Sequence, residues 1–159
     1  EKFEAIAFGD QASKVSQTWG KPTENVERFR KTEYRILQYS DENGSPIAMF
    51  ALEPQSQRVA GKSKWVTSQD KESDLEYALQ GKFSGISFKT YIPCETRSPK
   101  DEVLVSREKG LFLFRRMDRL LLISWADPTL TDLRIDQFYK QCPKLQIEKQ
   151  ESATPSKSQ

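Results

Sequence analysis

The sequence predicts an α+β fold, an antiparallel β-sheet meander with two or three short helices packed on it. Three observations point there. Between residues 83 and 125, segments rich in β-branched, aromatic and aliphatic side chains follow one another across short connections, and connections that short join antiparallel neighbours. Asn43-Gly44 lies in a turn-forming run between two further apolar segments, a strong local hairpin signal. Residues 10–19 and 73–80 each carry helix start and stop signals ahead of strand-like sequence.

Taken in order, residues 2–8 read as a first strand. Asp10 is placed to cap a helix over 10–19, in which Ala12, Val15 and Trp19 share one face, and Gly20 with Pro22 ends it. Residues 34–39 form a second strand, 41–46 the turn, and 47–52 a third strand. Residues 55–62 read as polar loop and 64–67 as a short fourth strand. Ser73 and Glu76 have capping-box spacing, opening a helix that carries Leu75, Ala78 and Leu79 and stops at Gly81. Strands follow at 83–93, 102–106, 111–115 and 119–125, with turns at 108–110 and 117–118. The nearly continuous apolar run 120–125 marks its strand as the best covered of the sheet. Asp127-Pro128 starts a last helix whose apolar stripe is Leu130, Ile135, Phe138, Tyr139 and Cys142.

The chain has 159 residues, 36% hydrophobic and 11% aromatic, enough to fill one core. One domain over 1–148 is expected, followed by a tail, 149–159, too polar to pack. Both halves place a short helix before antiparallel strands, so 1–67 and 68–148 also read as two degenerate helix-plus-strands units, although they do not align residue by residue.

The spacing Gly9, Val15, Trp19-Gly20, Pro22, followed by strands ending near Leu52, resembles the SmpA/OmlA (BamE-like) module. The same helix-then-strands plan occurs in tandem in β-lactamase-inhibitor-like proteins. The resemblance covers about the first third of the chain and implies an exported, non-catalytic role in envelope assembly or protein inhibition. The BamE-like family is anchored through a lipidated N-terminal cysteine, whereas the first cysteine here is Cys94.

Export is expected on other grounds too. An apolar segment opening at Phe3 behind a non-Met start is what removal of a signal peptide before Glu1 leaves, which predicts a periplasmic or secreted protein. Cys94 follows Pro93 and Cys142 precedes Pro143, positions where a cross-link fastens loose ends. The two are either one disulfide or two unrelated thiols. A disulfide closing a loop of about fifty residues contributes about 4 kcal/mol on the loop-entropy model.

No motif in the chain identifies a reaction. There is no histidine, which excludes imidazole bases, Ser-His-Asp triads and His-ligated metals. The seven glycines stand apart, with no Walker-type loop and no GxGxxG. Asp70, Glu72, Asp74 and Glu76 cluster, but acidic residues at a helix start are expected from the macrodipole, so capping is favoured over calcium or a glycosidase pair. No cofactor is expected, and no enzyme, a carboxylate-based hydrolase being the remote alternative. No apolar run in the chain is long enough to cross a bilayer.

The expected partner is another protein. Net charge is only +2, from 25 basic and 23 acidic residues, which disfavours nucleic acid. The candidate binding surface comprises Trp65, the tryptophan in the most polar neighbourhood, with Arg28, Arg30, Arg115, Arg116 and Arg119 beside aromatic residues. Arg28, Arg30 and Arg35 with Arg115, Arg116 and Arg119 also suggest a polyanion or glycan site, which requires both sets on one face. Alternation on half-solvated strands explains those arginines more simply.

Overall fold

A computed structural model describes residues 2–92 and 101–137. The described residues form one eight-stranded antiparallel sheet with three α-helices packed against it. Helix α1 (Ala12–Trp19) precedes β1 (Thr23–Phe29), β2 (Thr32–Ser40), β3 (Pro46–Leu52) and β4 (Val59–Trp65). Helix α2 (Leu75–Gln80), entered through a 3-10 turn at Lys71–Ser73, precedes β5 (Lys89–Tyr91), β6 (Asp101–Ser106), β7 (Leu111–Arg116) and β8 (Arg119–Ala126). Helix α3 (Pro128–Ile135) closes the described chain.

Strand order is β1-β2-β3-β4-β8-β7-β6-β5, two meanders of four strands joined where β4 pairs antiparallel with β8. Each half therefore repeats one plan, a helix and then four strands. Side-chain alternation divides the core between the faces. On one face α1 and the N-terminal segment cover Leu37, Tyr39, Ala48, Phe50 and Leu52, while α2 and Phe83 cover Leu104, Leu111, Leu113 and Ile123. On the other face α3 lays Leu130 and Ile135 on Ile36, Ala51, Ala60, Val105, Phe112 and Ala126.

Several expected elements differ. Residues 2–9 turn rather than extend, because Phe3 and Ile6, three positions apart, both bury, and Ile6 N–H closes on the Phe3 carbonyl at 3.3 Å. A strand would put those side chains on opposite faces. Asp10 does not cap α1; its carboxylate accepts from Ala7 N–H at 2.7 Å, and the N-cap, Gln11, makes no side-chain bond. β1 was not foreseen, since its polar run Thr-Glu-Asn-Val-Glu-Arg carries no strand signal of its own and becomes a strand by pairing with β2. The expected loop 55–62 contributes half of β4, where Ala60 and Gly61 are small because α3 lies on them: a Cβ on Gly61 would stand 2.8 Å from Leu130 Cδ2.

Asp74, not Ser73, caps α2 by accepting from Tyr77 N–H at 3.1 Å. Of the described residues 83–92 only Lys89–Tyr91 is strand, as Phe83 folds back to the Ala78 carbonyl and Gly85 takes φ +78 in the exit from α2, while Pro93 lies outside the described residues. β8 is central but not the best covered; β6, buried at every position after Asp101, holds that place because it is sandwiched between the two face layers. The last helix starts as expected, Asp127 accepting from Leu130 N–H at 2.8 Å. The rest of its stripe, Phe138, Tyr139 and Cys142, lies outside the described residues, as do Cys94 and the tail. No described helix is long and apolar enough to cross a membrane.

Candidate functional site

The turned segment before α1 helps to form an open concavity. Trp19 ends α1 and donates from its indole N–H to the Lys2 carbonyl at 3.2 Å, which holds the segment beside the helix. Phe3 then packs on Phe50 and Trp125, with ring centroids 5.9 and 5.5 Å apart. Trp19 packs on Tyr39 and Phe50 at 5.3 and 5.6 Å. Between this aromatic layer and the strand ends lies an open cleft of about 300 Å³, lined by Phe3, Trp19, Trp65, Ile47 and Ala48 and by the charged residues Lys2, Glu4 and Lys64. Trp19 and Trp65 are half-buried, and Ile47 is exposed at 38%.

A row of lysines runs from the cleft across the β4–β8 seam. Lys62 and Lys64 alternate on β4, and their ammonium groups sit over the Phe3 ring at 4.3 and 5.8 Å. Lys82, just past α2, stands 5.5 Å over Trp125 and 3.6 Å from Glu72. Burial pulls the Lys62 and Lys64 ammoniums below the usual lysine value, and repulsion from Lys82 lowers Lys64 further. Aromatic faces partly replace the water these cations lose.

Trp65 thus reaches the cleft, but the arginines do not join it into one surface. β4 runs toward Trp65 and β8 starts beside it, so Trp65, Arg115, Arg116 and Arg119 share one end of the sheet. Arg28 and Arg30, at the β1–β2 turn, occupy the opposite end. Arg28 pairs with Glu33, and Arg35 with Glu24. Arg115 lies 3.5 Å from buried Glu102, and Arg116 holds Asp101 with bonds of 2.6 and 3.1 Å. Strand pairing places Arg28, Arg35, Arg115 and Arg116 beside carboxylates, as alternation on half-solvated strands allows.

Sequence reading missed Phe3, Lys62 and Lys64. The signal was there in the alternation of Lys62, Ser63 and Lys64 before Trp65, but the small residues ahead of it masked the strand. The acidic cluster acts as caps: Asp70 accepts from Glu72 N–H at 3.0 Å, and Asp74 caps α2. No group of three acidic or cysteine side chains suited to a metal stands together among the described residues. No protein family, no curated protein and no solved structure matches this chain.

Proposed function

We propose that this protein is a non-catalytic, exported binding module that holds a partner protein in the cleft beside Trp65. The observation that carries the reading is the make-up of that cleft: two half-buried tryptophans and exposed Ile47 beside Lys2, Lys64 and Glu4. Aromatic anchors ringed by charges of both signs are the composition of protein–protein hot spots rather than of polyanion sites. The bonds tethering the N-terminal segment to α1 favour the reading further, because a preorganised surface loses less conformational freedom on binding. Export takes its support from the even cysteine count and from the resemblance to BamE-like modules.

The test compares the wild-type chain with Trp65→Ala as bait in an extracytoplasmic extract, with recovered proteins quantified by mass spectrometry. Loss of a hot-spot tryptophan lowers recovery of the partner about thirtyfold, corresponding to about 2 kcal/mol. Equal recovery by both baits, with circular dichroism unchanged, rejects the cleft as the binding site. Titration of free thiols in the unreduced, denatured protein from its native compartment tests export: zero supports it, and two opposes it.

A further inference from the structure

We propose a second interaction surface, the outer edge of β1, which pairs antiparallel with the same edge of a second copy of this chain in a register centred on Val26. β1 is a terminal strand, and no described strand occupies its outer edge. A two-residue turn, Arg30-Lys31, joins Phe29 to its partner Thr32. Flanking residues of such a turn exchange backbone hydrogen bonds, so alternate positions back from Phe29 face β2 while Arg28, Val26 and Glu24 turn their N–H and C=O groups outward. The Arg28 carbonyl confirms the direction, since it is reached from outside by Gln137 Nε2 at 2.6 Å. Pairing exchanges that bond for one from the Glu24 N–H of the second copy.

The charges select both the occupant and the register. Antiparallel self-pairing centred on Val26 sets Glu24 of each copy opposite Arg28 of the other, with Val26 against Val26. Centring on Glu24, Glu27 or Arg28 sets a like charge against itself, and centring on Asn25 forms no charge pair. Like charges directly opposite are destabilising, and opposite charges stabilise. Within the chain Arg28 already faces Glu33, and Glu24 reaches Arg35 on the diagonal. The second copy therefore continues an alternating row of charges across the seam. Val26, exposed at 49%, supplies the apolar contact at the centre.

Sedimentation velocity of the full chain, from micromolar to near-millimolar concentration, tests the pairing. The wild type is expected to dimerise, and a wild type that stays monomeric throughout overturns the proposal. Val26→Pro removes an outward N–H without touching the β1–β2 ladder, so it is expected to abolish the dimer while leaving circular dichroism unchanged. A folded Val26→Pro chain that still dimerises also overturns it. Arg28→Glu alone and Glu24→Arg alone should each weaken self-association by about tenfold, from two reversed pairs. Mixed in equal amounts they should form a heterodimer, since each Glu then meets an Arg. Failure of the mixture to associate better than either variant rejects this register.

Discussion

In the first half of the sheet α1 lies over an aromatic layer, Phe3, Trp19, Tyr39 and Phe50, tied together by side-chain bonds from Trp19 to the Lys2 carbonyl and from Tyr39 to the Gly20 carbonyl. In the second half the shorter α2 lies over an aliphatic layer, chiefly Leu75, Leu104, Leu111, Leu113 and Leu120. The plan is the same and the filling is not. Each half supplies its own cover for this face, whereas the opposite face relies on α3, which is held by both. Asp127 N–H bonds the Ala60 carbonyl of the first half, and Ala126 N–H bonds Gly110 of the second, both at 2.8 Å. Arg134 then reaches across to Glu27 on β1 with bonds of 3.2 and 3.0 Å and to Ser124, which in turn receives the Ser63 hydroxyl hydrogen bond at 2.8 Å. The two halves, already joined by β4–β8 pairing, are thus also clamped by a shared helix, and the cleft sits on the half whose layer is aromatic.

The sharpest way to break this arrangement is at Gly110. Its φ is +62, and an added Cβ would stand 2.1 Å from the Ala126 carbonyl oxygen. Gly110→Ala is expected to cost about 3 kcal/mol or more, read from urea unfolding, because backbone itself must move. A cost near that of an exposed turn glycine would show that the start of α3 is not closely seated on the second half.

Next comes the ion pair that carries α3 to the first half. Arg134→Met leaves Glu27 without its partner, and since the two side chains keep 10% and 20% exposure, the expected loss is about 2–3 kcal/mol rather than the full buried-pair value. Glu27→Gln added to it should recover about half, because the stranded charge is gone. A double variant no more stable than the single one would move the cost to the packing of Arg134 on Phe112.

The smallest effect sharpens the difference between the leading helices. Asp74→Ala should cost about 1 kcal/mol, while Gln11→Asp should add about 0.5 kcal/mol by giving α1 the side-chain cap it lacks. Equal and negligible shifts in the urea midpoint would mean that packing alone sets both helix starts.

Much of the second half was legible in the sequence because its signals are local. Apolar strands separated by short turns, the cap at Asp127 and the stop at Gly81 need no distant partner to be recognised. The first half hid β1 and part of β4, whose strand state comes from pairing rather than propensity. Trp65 was legible as a candidate; Phe3 and the two lysines around it were not, since a segment that reads as strand lies instead as a turn on the sheet face.

The sequence by itself determined the class, the β2–β3 hairpin, the turns between β6, β7 and β8, and the stops of α1 and α2, because each depends on backbone chemistry within a few residues. Only the tertiary structure decided that β4 meets β8, that one helix spans both halves, and that a turned segment builds the cleft. Those outcomes follow from which surfaces bury against each other across many tens of residues, where small residues such as Ala60 and Gly61 acquire meaning only from the helix that covers them.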